Sequence, residues 1–257
     1  MRLAANATVA ALLMLAVAGG SSAESTAALP VRGQPQLLHL YGERGRGRPI
    51  VVSSGDGGWI HLGPQVSAFL AARGHFVVGF DAKAYLEGFT TGSTRLRPED
   101  VPGDYRAVID YAKGGSPAKP ILVGVSEGAG LSVLAAADPA TKATLAGVVG
   151  LGLPDLNELG WRWRDALIYV THGVPKEPTF SVRTIVDRLA PLPLAGIQST
   201  RDEFVPIAQA QALFDRAAAP KRLWIVAASD HRFSGARAEF EQRLIEAIDW
   251  VARNEPQ

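Results

Sequence analysis

The sequence predicts an α/β fold in which a mostly parallel central sheet carries helices on both faces. Short apolar runs rich in β-branched residues, typical of buried parallel strands, occur at residues 50–54, 75–81 and 120–123. Helical patterns separate these runs at residues 64–73 and 98–113. Strands that alternate with helices in this way form a parallel sheet with right-handed crossovers.

The first residues have the pattern of a secretory signal peptide. Arg2 precedes an apolar run at residues 7–18, and small residues follow up to Ala23. The run is too short to span a bilayer comfortably, although a membrane anchor is the alternative interpretation. We therefore expect residues 1–23 to be removed, which leaves one domain over residues 24–257 in the periplasm or outside the cell.

Composition excludes several classes of protein. The chain has 26 basic and 25 acidic residues, so charge gives no argument for nucleic acid as a partner. It contains no cysteine, which rules out disulfides and a lipid-modified cysteine. Hydrophobic residues make up 47% of the chain, enough for the core of an ordinary globular domain. We expect the protein to be a monomer.

The pattern predicts the elements of the mature chain in order. Its first half is predicted as a loose N-terminus (24–34), an outer strand (36–41), a strand (50–54), a helix (64–73), a strand (75–81), a loop (82–97) and a helix (98–113). Its second half is predicted as a strand (120–123), a helix (131–137), a strand (145–153), a region without clear periodicity (154–190), a strand (192–198), a helix (207–217), a strand (222–226) and a helix (236–253).

A Gly-x-Ser-x-Gly sequence lies between a predicted strand and a predicted helix. Gly124 and Gly128 lack a Cβ, so the backbone can turn sharply enough to expose the hydroxyl of Ser126. The N–H of Glu127, at the start of the next helix, would point to the place where an oxyanion develops. Ser126 is therefore a candidate nucleophile, with a plain strand-to-helix turn as the alternative.

The loop after the strand at residues 50–54 is rich in glycine. Its sequence, Gly-Asp-Gly-Gly at residues 55–58, allows backbone amides to approach a ligand closely. In a serine hydrolase with such an elbow, the second oxyanion donor comes from this loop. We expect the amide of Asp56 to serve, with Gly57 as the alternative donor; a phosphate-type nest or a bare turn would fit the same glycines.

An acid and a base follow two later predicted strands. Asp202 comes after the strand at residues 192–198, and His231 comes after the strand at residues 222–226. Because parallel strands end at the same sheet edge, we expect both side chains to meet Ser126 there. Histidine can take the serine proton near neutral pH, and the acid would orient it. Glu203 is the alternative acid.

Three tryptophans are candidates for substrate binding. Trp59 ends the glycine-rich loop, and Trp161 and Trp163 alternate with arginines in the region 154–190. That region is a candidate lid, in which aromatic and basic side chains would hold an acidic or lipid head group. An exposed strand whose tryptophans pack inward is the other interpretation.

At these residues the chain resembles the α/β-hydrolase superfamily over its whole mature length. Residues 54–59, 124–128 and 230–235 resemble the bacterial virulence-protein family VirJ/AcvB, exported proteins linked to hydrolysis of aminoacyl-phosphatidylglycerol. Glu127 stands where that family usually has an aromatic residue, and Arg232 where it usually has a second histidine. The resemblance implies the α/β-hydrolase fold and a hydrolase that acts on esters.

The sequence as a whole predicts an exported serine hydrolase that cleaves an ester of a small molecule or a lipid. The reaction would use the Ser126, Asp202 and His231 triad and an acyl-enzyme, with no metal or organic cofactor and with transient contact to a membrane surface. The carboxylate of Glu127 would favour a cationic substrate, unless this position simply tolerates many side chains. A non-catalytic envelope component that uses the same fold for binding is the alternative function.

Overall fold

The computed structural model describes residues 24–90, 95–161 and 177–256. An eight-stranded sheet forms the centre of this part of the chain, and a two-stranded ribbon lies beside it. The strands are β1 (Ser25–Val31), β2 (Gln34–Tyr41), β3 (Pro49–Ser53), β4 (Phe76–Phe80), β5 (Ile121–Val125), β6 (Gly147–Leu151), β7 (Leu156–Glu158), β8 (Thr179–Ser181), β9 (Leu194–Ser199) and β10 (Lys221–Val226). Strands β7 and β8 form the ribbon.

The helices of the described ranges connect most of these strands. They are α1 (Leu62–Ala71), α2 (Ala82–Phe89), α3 (Val101–Lys113), α4 (Glu127–Ala136), α5 (Pro139–Lys142), α6 (Ile207–Arg216) and α7 (Arg237–Arg253). Two short 3₁₀ helices lie at Val182–Thr184 and Val186–Leu189. In the described ranges, none of the helices has the length and apolar character needed to cross a membrane.

The sheet is mostly parallel, as the sequence predicts. Its strand order is β1-β2-β4-β3-β5-β6-β9-β10, and β2 is antiparallel to both of its neighbours. From β4 to β10 all neighbouring strands run parallel. The carboxyl ends of β3, β5, β6, β9 and β10 therefore lie along one edge, which is where open α/β sheets bind ligands.

The two faces of the sheet have separate hydrophobic cores. Alternation along β3 shows the division, because Val51 packs in the core with α3 while Ile50 and Val52 pack in the core with α1 and α7. All five residues of β3 are buried, as are those of β4, β5 and β6. Each fully buried aliphatic side chain contributes about 1.5–3 kcal/mol, so these strands are a rigid base for the loops at their ends.

Two of the predicted elements are wrong. Residues 25–31, expected within a loose N-terminus, form the edge strand β1, because all seven residues pair antiparallel with β2. Arg32 then anchors this strand to α3 through hydrogen bonds to Asp104 of 2.7–3.1 Å. Residues 82–89, expected within a loop, form α2, because the carboxylate of Asp81 caps the helix by accepting from the amide of Ala84.

The region 154–190 is ordered in the parts that the structure describes. Strands β7 and β8 form its ribbon, and Asp155 ties the ribbon together by accepting from the Ser181 hydroxyl and the Arg183 amide. Residues 162–176, and with them Trp163, lie outside the described residues, as do the expected signal peptide at residues 1–23 and residues 91–94. Movement of this region as a lid stays a prediction.

Candidate active site

The elbow between β5 and α4 holds Ser126 in a strained backbone conformation, with φ 50° and ψ −118°. Few residues other than glycine adopt such angles, at a cost of about 1–3 kcal/mol. The surrounding packing imposes these angles. The amide of Ser126 donates to the carbonyl oxygen of Leu151 at 2.9 Å, and a Cβ on Gly128 would lie 2.2 Å from the carbonyl oxygen of Ser54. A Cβ on Gly124 would meet backbone atoms at 2.3–2.4 Å. Both glycines are therefore required for the serine to face outward.

The glycine-rich loop after β3 lies beside this serine. A Cβ on Gly55 would be 3.5 Å from the Cβ of Ser126. The amide of Gly58 donates to the carbonyl of Gly55 at 3.0 Å, which forms a tight turn with Asp56 and Gly57 between them. Glu127 follows Ser126 directly and begins α4. The loop and the helix start therefore bring Asp56 and Glu127, the residues expected to supply the oxyanion donors, to the same pocket as Ser126.

His231 and Asp202 form a close pair at the ends of β10 and β9. The ring Nδ1 of His231 lies 2.6 Å from Oδ2 of Asp202, whose side chain is fully buried. Backbone amides of Phe204 and Val205 donate to the other carboxylate oxygen at 3.0 and 2.8 Å. Burial alone would raise the pKa of Asp202, but the hydrogen bond and charge of His231, together with these amides, hold that pKa below its ordinary value.

The structure separates the two acids that the sequence leaves as alternatives. The carboxylate of Asp202 faces the imidazole, whereas Oε2 of Glu203 accepts from the backbone N–H of His231 at 2.9 Å. Asp202 is thus placed to orient the ring, and Glu203 holds the loop that carries it.

Gly152 provides the space for the histidine and aspartate pair. It follows β6 with φ +58°, and a Cβ there would lie 2.5 Å from Cε1 and 2.9 Å from Nδ1 of His231. The same Cβ would lie 3.3 Å from Oδ2 of Asp202. Sequence reasoning missed Gly152, because it lies within an apolar run and the residues that it contacts are distant in the chain.

Ser126 and His231 line the same pocket, whose volume is about 480 Å³. The contact of Nδ1 with Asp202 leaves Nε2 as the ring nitrogen available to the serine. No hydrogen bond joins the Ser126 hydroxyl to the ring in this conformation, within the ranges that the structure describes. Catalytic hydrogen bonds often close only when substrate binds.

Comparison with solved structures identifies the architecture. The α/β hydrolase GrgF from Penicillium sp. sh18 matches with a TM-score of 0.67 at 13% identity, covering 91% of this chain and 99% of that one. Dienelactone hydrolase from Anabaena variabilis matches with a TM-score of 0.63 at 18% identity, covering 89% and 98%. The esterase domain of a Rhodothermus marinus protein matches with a TM-score of 0.59 at 18% identity, covering 90% and 98%.

The chain has the α/β-hydrolase fold. The fold class predicted from the sequence is therefore confirmed. Residues 48–159 also match the model of the family described as bacterial virulence protein (VirJ), which confirms the resemblance to that family. This match includes the glycine-rich loop and the elbow, and it ends before Asp202 and His231. A comparison with curated proteins finds no match to the sequence of this chain.

Within this α/β-hydrolase fold, the tryptophans have different positions. Trp161 lines the pocket, where its ring packs 4.0 Å from the ammonium group of Lys83. Trp59 does not line the pocket: its ring stacks on His39 at 4.6 Å and fills the space over Gly79 in β4. The expectation that Trp59 binds substrate is thus corrected, because the tight turn before it directs the ring back onto the sheet. Trp163 lies outside the described residues.

Three carboxyl groups from separate elements line one part of the pocket: Asp56, Glu127 and Glu158. Oε1 of Glu127 accepts from the backbone N–H of Glu158 at 2.9 Å. Burial raises the pKa of Glu127 well above its ordinary value, and the carboxyls of Asp56 and Glu158 add to the rise. Burial also raises the pKa of Asp56, against the opposing effects of the Gly57 amide and of His231. Sequence reasoning found Asp56 and Glu127 but missed Glu158, which only the β7 ribbon brings here.

No arrangement of three or more histidine, cysteine, aspartate or glutamate side chains suited to a metal ion occurs in the described part of the chain. The three carboxyl groups instead line a cavity that Trp161 and Lys83 also line, and the ammonium group of Lys83 lies over the Trp161 ring. A cluster of carboxyl groups in a cavity can attract a positively charged organic group.

Proposed function

We propose that the protein is a serine hydrolase that cleaves a carboxylic ester through an acyl-enzyme. The observation that carries this proposal is the convergence of three features on one pocket: a strained, outward-facing Ser126, a buried Asp202 that holds His231, and a glycine-rich turn beside the serine. The hydrolases and esterases among the solved structures of this fold agree with it.

The reaction would proceed in two displacement steps. Ser126 attacks the ester carbonyl carbon while Nε2 of His231 takes its proton, and the amides of Glu127 and Asp56 bind the oxyanion. The tetrahedral intermediate collapses, and His231 returns the proton to the departing alcohol. His231 then takes a proton from water as that water attacks the acyl carbon. The second tetrahedral intermediate collapses, His231 returns the proton to Oγ of Ser126, and the acid is released. Asp202 stabilises the imidazolium in both steps. Gly57 is the alternative to Asp56 as a donor.

The pocket mouth supports a substrate with an apolar part. In the described part of the chain four large apolar side chains are exposed, and three of them line the pocket: Ile60, Leu156 and Phe204. Exposed apolar residues that group around a cavity mark a site of binding rather than ordinary surface. A lipid-linked ester, reached during transient contact with a membrane surface, would fit this mouth.

The carboxyl groups support a cationic group on the substrate, as in an aminoacyl ester. An ammonium group near Glu127, Asp56 and Glu158 would reduce their mutual repulsion and favour their ionised forms. We expect the isosteric change Glu127→Gln to lower kcat/KM for alanine ethyl ester about ten-fold more than for ethyl propionate, measured by titration of released acid. Equal losses on this matched pair of substrates would reject selection of cations.

Labelling with a fluorophosphonate probe tests the reaction itself. We expect wild-type protein to be labelled at Ser126, and Ser126→Ala to remain folded but unlabelled. If folded wild-type protein takes no label, the chain is better described as an envelope component that binds through the same fold. A screen of short-chain esters, aminoacyl esters and phospholipids would then define the substrate of a labelled enzyme.

Export is a separate part of the proposal. The pattern of residues 1–23 supports cleavage after Ala23 and release into the periplasm or outside the cell. N-terminal sequencing of protein recovered from these compartments should begin at Glu24. An intact leader on the recovered protein would instead support a membrane anchor.

A further inference from the structure

A buried glutamine donates a hydrogen bond to the same carboxylate oxygen of Asp202 that contacts the imidazole of His231. Gln198 lies on β9 and is only 1% exposed. Its Nε2 donates to Oδ2 of Asp202 at 2.9 Å and to the carbonyl of Val205 at 2.8 Å. The two N–H bonds of one planar amide thus bridge the acid and the loop that follows it.

The bridge matters because the charge of Asp202 is fully removed from water. Four donors replace its hydration: the Nδ1 of His231 and the Gln198 amide at Oδ2, and the amides of Phe204 and Val205 at Oδ1. Buried carboxylates require such donors, and each also fixes the direction in which the carboxylate points. Gln198 is the side-chain donor besides His231, and it comes from the rigid strand rather than from the loop.

We propose that Gln198 is a positioning residue of the triad, which sets the orientation of the Asp202 carboxylate and the strength of its contact with His231. This inference rests on the proposed function, since it assigns a role within the same site. Gln198 does not touch substrate; it acts through Asp202. Asn157, another buried amide, does not share this role, because its side chain donates to the carbonyls of Pro154 and Asp155.

Loss of the glutamine donor should change the basicity of the pair. Without the hydrogen bond from Gln198, the Asp202 carboxylate keeps more negative charge on Oδ2. It then binds the imidazolium form of His231 more strongly. Protonated His231 would then persist to higher pH. Other charged groups face the pair from neighbouring elements and are unchanged by the substitution: Asp56 in the loop after β3, Glu203 beside the acid, and Arg232 beside the base.

The test is an NMR titration of the histidine ring protons in the full-length protein, combined with rates of fluorophosphonate labelling against pH. The chain has five histidines, and His231→Gln identifies the signal that belongs to residue 231. In Gln198→Met, which keeps the length of the side chain and removes both donors, we expect the titration midpoint of His231 to rise by about one pH unit. The acid limb of the labelling profile should move upward by the same amount.

A second variant and a control distinguish an effect on His231 from a general loss of the fold. Gln198→Glu places a second carboxyl group beside Asp202, and its ionised form adds negative charge near the imidazolium, so it should also raise the midpoint. Gln36→Met replaces another buried glutamine, on β2 at the far side of the sheet, and should leave the midpoint unchanged. Far-UV circular dichroism and thermal melting check that each variant is folded.

The outcomes separate this inference from the proposed function. An unchanged or lowered midpoint in folded Gln198→Met and Gln198→Glu overturns the positioning role, and shows that the glutamine only stabilises the loop. A raised midpoint supports it even if the wild-type protein takes no label, because the titration does not depend on catalysis. Absence of label in the wild type would overturn the hydrolase proposal alone.

Discussion

Substitution of Gly152 by alanine tests the geometry of the site most directly. The new Cβ would lie 2.5 Å from Cε1 and 2.9 Å from Nδ1 of His231, both well inside van der Waals contact. Contact between such atoms is normal at about 3.5–4.0 Å, so the ring must move by about 1 Å. That movement would break the 2.6 Å contact between His231 and Asp202.

The expected loss follows from this displacement. A misplacement of about 1 Å at a reacting group can cost about 100-fold in rate, so Gly152→Ala should slow fluorophosphonate labelling by about two orders of magnitude. Positive φ also disfavours alanine, by about 1–2 kcal/mol, so some loss of stability is expected as well.

Gly74→Ala is the matched control for this strain. Gly74 follows α1 with φ +86°, and a Cβ there meets no atom within 4 Å. It should lose similar stability, measured by thermal melting, and keep the wild-type labelling rate. If Gly152→Ala is labelled as fast as Gly74→Ala, the position of His231 against Gly152 does not govern catalysis and the reasoning is wrong.

Three further substitutions have expected outcomes that follow from contacts in the site. Asp202→Asn should lower kcat by about 10⁴-fold, because the imidazole loses its orienting charge. Glu203→Gln should lower kcat less than about ten-fold, since the Glu203 carboxylate accepts from the backbone N–H of His231 and not from its ring. Similar losses of kcat in ester hydrolysis would contradict the assignment of the acid. Trp161→Ala should raise KM several-fold, whereas Trp59→Phe should leave KM unchanged and lower only the melting temperature, because its ring faces the sheet; steady-state kinetics on one ester would decide. Glu127→Gln should raise the melting temperature at alkaline pH. The pKa of the Glu127 carboxyl is higher in the folded than in the unfolded protein, so the wild type loses stability as pH rises from the unfolded pKa through the folded pKa. The glutamine variant does not have this loss. The difference should vanish below the ordinary pKa, and each kcal/mol should appear as about 2–4 °C in calorimetry; a constant difference across pH would reject ionisation as its cause.

The sequence predicts the central part of the fold because the signals there are local. Buried strands such as β3 and β5 are continuous apolar runs, and the amphipathic pattern of α3 is clear. The edge strand β1 escapes prediction, since its alternation is weak and its pairing with β2 decides its conformation. Helix α2 is not predicted because Gly88 near its end suggests a loop, whereas the side-chain cap of Asp81 stabilises the helix start.

The candidate site likewise contains residues with a local sequence signal and residues without one. Residues with a chemical signature next to a strand end, such as Ser126, Asp202 and His231, could be found from chain order. Gly152, Gln198 and Glu158 could not, because their roles come from contacts with residues distant in sequence. A glycine in an apolar run or a glutamine in a strand has no local pattern that distinguishes it from its neighbours.

Backbone strain at Ser126, the proposed nucleophile, gives a last means to separate its structural role from its chemical role. Ser126 adopts φ 50°, which costs about 1–3 kcal/mol for a residue with a Cβ and little for glycine. Glycine also increases the entropy of the unfolded chain, by about 0.4–1 kcal/mol, so relief of strain should exceed this cost. We therefore expect Ser126→Gly to melt at a higher temperature than Ser126→Ala, although both variants lack the serine hydroxyl. Melting of Ser126→Gly at or below the temperature of Ser126→Ala would mean that the elbow stores no strain, and that Gly124, Gly128 and the sheet beneath them do not force the serine outward.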